Sequence, residues 1–363
     1  MTLEGTPLIV SPDGISSVSF LDEAESVNAL IPHLQRQGVE AFVVLLHEGG
    51  SVATGSTGGH PDLINECDRP TGALPPIVAA MDDAIDIVIT GHTNWAVNCT
   101  IDGKVVTGAA SQGRLLTDID AELDRSTGEF TNILVNNEIV TQDVPKAPQL
   151  TELIAAYNVF AAPIANVVVG STTAPLNQTT TAARETTLGR LIADAQLASS
   201  LGAGAQLALM NPGGIRANLD AGPITYGEAF AVQPFSNIVV TKTMTGAQIE
   251  KVLEQQFVTS AGGTRTLILQ VSAGFTYTWN ATGPVGDKVD PLTIGVNGTP
   301  LDLNGKYRVT MNSFLASGGD DFPAFNEGIE ATTGADDLDA LVAYLGAHPD
   351  YVPVTTERIF RIN

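Results

Sequence analysis

In the first half of the chain, short apolar runs alternate with polar connectors, as in layered α/β structures. AFVVLL at 41–46 and IDIVIT at 85–90 are continuous runs rich in β-branched residues, the kind that a parallel sheet buries on both faces. Each run leads straight into a histidine-bearing turn. KVVTGAA (104–110) and LLTDIDAEL (115–123) read as further strands, the second alternating as a half-exposed strand does. ESVNALIPHLQRQG, ahead of the first histidine strand, and LPPIVAAMDDA, ahead of the second, read as helices. From Pro148 to Ala165 the pattern predicts an apolar helix. The Thr/Asn/Gln-rich stretch at 170–183 then breaks the periodicity and reads as an extended connector or edge segment.

A second unit opens with ETTLGRLIADAQLAS (185–199), a helix with apolar positions at Leu188, Leu191, Ile192 and Ala195. QLALM (206–210) is a strand running into the turn NPGGIR, and NIVVTKTM (237–244) is another. The helix in TGAQIEKVLEQQF begins with Thr245 and Gln248 at the spacing of a capping box, and ADDLDALVAYL near the end is a further capped amphipathic helix.

The length of 363 residues suits about two domains. A formal net charge of −23 opposes a nucleic-acid backbone or an anionic membrane as partner. With 44% hydrophobic residues the chain still has enough apolar content for substantial cores. No run of eighteen apolar residues occurs, and MTLEGTPLIV lacks the basic start and apolar core of a signal peptide. The scarcity of lysine, the Ala/Gly/Thr richness and the acidity nonetheless read as those of an exported bacterial protein.

Of the five histidines, His33, His47, His60, His92 and His348, two stand out. His47 in HEGG and His92 in TGHTN follow buried strands, where open α/β sheets build their sites. Two such imidazoles side by side suit one metal ion, and Asn94 offers an oxygen two residues beyond His92. Asp13, Asp22 and Glu23 lie in a turn or at a helix start and read as caps rather than ligands. In NPGGIR, Gly213 and Gly214 admit close approach of a ligand to the backbone, while Asn211 and Arg216 offer directional hydrogen bonds. FLASGGDDF (314–322) places Phe314 and Asp320 around a second glycine pair, and Phe235 lies in QPFSN. Two aromatics, an acid for sugar hydroxyls and an arginine for an anion would make a nucleoside pocket. Either phenylalanine taken alone reads first as ordinary core packing. Cys67 and Cys99 admit a disulfide, two buried thiols or metal binding, and Cys99 lies too far beyond His92 to be a natural third ligand. A bridge would contribute about 3–4 kcal/mol.

The ordered motifs HEGG, DIVITGHTN, ETTLGRLIADA, NPGGIR, QPFSNIVV, TGAQIEKVLE and FLASGGDDF resemble the 5′-nucleotidase family of bifunctional metallophosphatases, which includes UDP-sugar hydrolases and ecto-5′-nucleotidases. The resemblance runs from about Val43 to the end of the chain. It implies a mixed α/β fold: part of an α/β/β/α metallophosphatase sandwich over 1–147, a linker helix over 148–165 and a complete C-terminal nucleoside-binding α/β domain over 166–363. It implies that His47 and His92 bind one of two divalent ions (Zn, Mn or similar) and that Asn94 approaches the other. It further implies a pocket of Asn211, Gly213, Arg216, Phe235, Phe314 and Asp320, with the rings on the base and Asp320 on the ribose. Arg184 lies in the stretch where the resemblance implies a phosphate-binding arginine, although its spacing to Glu185 is two residues off the family's pattern, which would fall on Ala182.

The family's D-x-H-G and G-N-H-E motifs, and a G-D ahead of His47, which carry the bridging aspartate and the catalytic histidine, do not occur here. The expectation is therefore a nucleotide phosphoester hydrolase lineage, secreted or in the cell envelope when full length, and inactive as this chain alone. The alternatives are a fragment, a late-assigned start or loss of the catalytic half. A nucleoside-binding module without catalysis, or a relative acting on UDP-sugars or 2′,3′-cyclic nucleotides, is the competing reading.

Overall fold

The computed structural model describes residues 1–6, 15, 17–52, 64–67, 70–260 and 263–363. Asp13 and His60 lie outside the described residues. The chain forms two compact units, one containing Ser17–Pro145 and the other Lys146–Asn363. Among the described residues no helix is long and apolar enough to cross a membrane.

The first unit is built on a four-stranded sheet in the order Val43–Leu45, Ile87–Ile89, Lys104–Ala109, Ala96–Ile101. The first three strands are parallel and the last is antiparallel. The helix Glu23–Gln35 starts where Asp22 accepts the Glu25 N–H at 2.7 Å, which is the capping role read for this acid. Ile31, Val44, Leu74, Val78, Val88, Val97 and Val106 form the core. One expectation fails at the edge strand. Val44 is buried, but Val43 and Leu45 are 48% and 63% exposed, because no neighbouring layer covers that face among the described residues. A long ribbon of Leu115–Leu123 and Phe130–Ile139 is anchored through buried Asn137, whose side chain donates to the carbonyls of Ile64 and Val97. Cys67 and Cys99 form a disulfide nearby.

The second unit holds a five-stranded sheet in the order Gln270–Val271, Leu207–Met210, Lys306–Asn312, Ile238–Thr245, Ile329–Asp336. Only the pairing of Leu207–Met210 with Lys306–Asn312 is parallel. A smaller sheet contains Phe275–Asn280 and Ile359–Ile362. The helix Thr187–Ser199 buries Leu188, Leu191, Ile192 and Ala195 as the periodicity predicts. The helix Gly246–Glu254 carries both capping-box bonds between Thr245 and Gln248, at 2.8 and 3.2 Å. The stretch at 170–183 is only partly irregular, since Val168–Thr172 pairs antiparallel with Gly222–Thr225. The apolar helix Pro148–Ala165 forms as read, yet none of its residues is buried.

Buried charge organises this unit. The Glu185 carboxylate accepts from the Arg190 guanidinium at 3.1 and 3.0 Å and from the Arg358 and Ile359 amides at 2.9 and 3.0 Å. Arg358 in turn makes a two-pronged pair with Asp194, both bonds at 2.8 Å. The charged positions of ETTLGRLIADA thus face the interior and hold the C-terminal strand.

Candidate functional site

In the first unit, parallel pairing of Val43–Leu45 with Ile87–Ile89 brings both strand ends to one edge of the sheet. The loops beyond them then touch. The Thr90 hydroxyl donates to the Glu48 carbonyl, the Gly91 amide donates to the same carbonyl at 3.3 Å, and the Thr93 hydroxyl donates to the Gly50 carbonyl at 2.8 Å. A Cβ on Gly49 would stand 2.3 Å from the Gly91 carbonyl oxygen, so glycine is required for this approach. His92 and Asn94 both adopt positive φ, 63° and 61°, a conformation in which His and Asn are over-represented among non-glycine residues.

The outcome is that the His47 and His92 rings lie edge to face with centroids 5.3 Å apart. A metal–imidazole bond of about 2.0–2.1 Å puts each centroid about 3.2 Å from a shared ion, allowing separations up to about 6.4 Å. The separation lies within the reach of one shared ion. Both rings and Asn94 are exposed. Two neutral imidazoles supply no charge to a second ion, and among the described residues no carboxylate clusters with them. Glu4, Asp22 and Glu23 do cluster, but Glu23 accepts the Glu4 amide and Asp22 caps its helix. His33 lies on an exposed helix face, and His348 stacks on Tyr344.

In the second unit, Asn211 leaves the strand Leu207–Met210 and is 3% exposed. Its Oδ1 accepts from Asn312 Nδ2 at 2.9 Å and its Nδ2 donates to Asp320 Oδ2 at 2.8 Å. Gly213 stands beside this carboxylate, where a Cβ would lie 3.6 Å from Asp320 Oδ2. Burial pushes the Asp320 carboxyl above its ordinary range, opposed by the Asn211 hydrogen bond. Asp320 and Asp321 both have positive φ and are held by Arg265, which donates to the Asp320 carbonyl and the Asp321 carboxylate. The Phe314 ring lies against Gly319, whose Cβ would fall 2.5 Å from it. Arg216 donates from its backbone to Val232 and stands 5.7 Å over the Phe235 ring. Phe235 is 55% exposed, so it is not a core residue.

The hydrogen bonds thus join Asn211 to Asp320, and the ring contact joins Arg216 to Phe235. Exposed Arg184 donates from Nη1 to the Thr266 carbonyl at 2.9 Å. Asn312 and Arg265 were not read from the sequence. Asn312 had a usable signal, as a capping residue ahead of SFLA; Arg265 had none.

Residues 168–327 match the family model "5′-nucleotidase, C-terminal domain". The chain is 30% identical to "Endonuclease YhcR" of Bacillus subtilis, over 96% of this chain and 27% of that protein. It is 32% identical to "Cell wall protein Lmo0130" of Listeria monocytogenes, over 93% of this chain and 45% of that protein. It thus spans between a quarter and a half of these relatives. The "5′-nucleotidase precursor from Thermus thermophilus" superposes with a TM-score of 0.76 at 26% identity, covering 95% of this chain and 68% of the other.

Proposed function

Because this chain belongs to the 5′-nucleotidase family, we propose that it is part of a nucleotide phosphoester hydrolase and that its second unit binds the nucleoside. The observation that carries this reading is the Asn312–Asn211–Asp320 chain of hydrogen bonds, which fixes a half-buried carboxylate in the segment that also carries Phe314. In this reading the Phe235 and Phe314 rings stack on the base, ionised Asp320 accepts from ribose hydroxyls, and Arg216 and the Gly213 turn face the remainder of the ligand. His47 and His92 would hold a divalent ion such as Zn or Mn, with Asn94 as an oxygen donor on the same turn. Such an ion supplies Lewis-acid polarisation of a phosphoryl oxygen and a more acidic bound water. These donors alone bind an ion weakly, so the chain by itself binds nucleoside without releasing phosphate. An exported or cell-envelope setting is supported by the cell-wall relative and by the Cys67–Cys99 bridge, which oxidising compartments preserve.

Calorimetry with adenosine tests the pocket. Binding is expected with or without metal and is lost in Phe314→Ala; an unchanged affinity removes the stacking role. Phosphate release from AMP with added Mn or Zn tests the rest, because turnover by this chain that disappears in His92→Ala would overturn the binding-only reading. UDP-sugars and 2′,3′-cyclic nucleotides each carry a nucleoside, and competition against adenosine ranks them.

A further inference from the structure

A slot for a flat base needs two rings at a fixed separation, yet Phe235 and Phe314 come from different loops with weak local definition. Ser236, next to Phe235, has φ 53°, a left-handed conformation that a non-glycine residue keeps only when its surroundings hold it. Phe314 sits in the four-residue helix Ser313–Ala316, far too short to persist by itself. Neither backbone alone fixes the position of its ring.

Side chains link the two loops. The Ser313 hydroxyl donates to Asn237 Oδ1 at 3.2 Å and accepts the Ile238 amide at 3.2 Å. The Asn237 carbonyl accepts the Asp337 amide at 2.8 Å. On the other side of Ser313, Asn312 caps the short helix at the Leu315 amide and donates to Asn211, which donates to Asp320. A polar path therefore runs from the start of the last helix, past both aromatic loops, to the carboxylate assigned to the sugar. Beside the ladder pair Val239–Asn312, the side-chain crossing between the aromatic loops among the described residues is the Ser313 hydroxyl.

The geometry points to Ser313 as a positioning residue that sets the gap between the Phe235 and Phe314 rings, and so the thickness of the planar group the site accepts. This rests on the nucleoside reading above. Ser313 acts through the rings and need not touch the ligand, so its role differs from that of Asp320 or Asn211.

The test uses the full chain with adenosine as probe. Ser313→Ala weakens binding by up to about tenfold, the scale of one lost hydrogen bond, and Ser313→Thr, which restores a hydroxyl, recovers most of it. In a Phe235→Ala background, Ser313→Ala adds less than about twofold, because no gap remains to be set. Equal losses in both backgrounds, or no loss in Ser313→Ala alone, overturn the proposal. Amide exchange supplies a readout without ligand. Ser313→Ala speeds exchange across 235–238 and 313–316 together while the helix Thr187–Ser199 stays protected. Unchanged exchange at Ile238 overturns the link. Should the unmutated chain bind no adenosine, the nucleoside reading fails, and exchange still decides whether Ser313 couples the loops.

Discussion

Glu185→Gln is expected to destabilise the second unit by about 3–5 kcal/mol, the range for breaking a buried ion pair from one side. The side chain is fully buried and keeps its shape in glutamine, so the loss reports charge and hydrogen bonding rather than a cavity. Its Oε2 accepts from Arg190 Nη2 and from the Arg358 and Ile359 amides, and its Oε1 accepts from Arg190 Nε. The amide would turn its oxygen toward the three donors and leave its NH2 against Nε, with the Arg190 guanidinium uncompensated at 2% exposure. Urea unfolding followed by Trp279, which is 5% exposed in this unit, would report the change in a Trp95→Phe background. With a urea dependence of about 2–3 kcal/mol/M, the midpoint falls by about 1–2.5 M. Adding Arg190→Met removes the stranded cation, so the double variant should be more stable than Glu185→Gln alone. A loss below about 1 kcal/mol, or a double variant worse than the single, would refute the reasoning.

Replacing Cys67 and Cys99 by serine releases a loop of 32 residues and should cost the first unit about 3–4 kcal/mol, read by Trp95 fluorescence during unfolding; an unchanged midpoint would contradict the entropic account. Gly319→Ala places a methyl group 2.5 Å from the Phe314 ring and forces it aside. Adenosine affinity should fall about tenfold or more with a smaller effect on stability, and retained affinity would put Phe314 outside the site. The Asp337 carboxyl, buried and beside Asp336, titrates at about 6 instead of its ordinary 3.8. A folded value above the unfolded one means the native state favours the protonated acid. This contribution is intact below about pH 4 and is lost as pH rises to about 6, at a cost on the order of 2–3 kcal/mol. Asp337→Asn should remove that slope and raise the unfolding midpoint at pH 7; equal pH profiles would refute the assignment.

Elements and caps were legible in the residues themselves. The 3.6-residue period at Leu188, Leu191, Ile192 and Ala195, the Thr245/Gln248 box and the paired strand–histidine endings depend on neighbours a few positions apart, and the structure contains each of them. The glycine pairs beside Asn211 and Asp320 likewise marked loops where backbones approach closely. Partnership over long separations was not legible. Arg190 and Asp194 sit at positions that look like a solvated helix face, but Arg358 returns 164 residues after Asp194 to pair with it in the interior. Asn312 meets Asn211 from 101 residues away, and Arg265 reaches Asp321 across 56. Arg184, next to Glu185 in the same motif, donates instead to the Thr266 carbonyl across 82 residues. Val43 and Leu45 belong to a run that reads as buried, and their exposure depends on which layers surround the edge strand. Local hydrophobic period and capping chemistry are properties of adjacent residues and so were fixed by the sequence alone. Whether a polar side chain becomes a site, a buried ion pair or a surface group depends on what the folded chain brings beside it, and only the tertiary structure decided that.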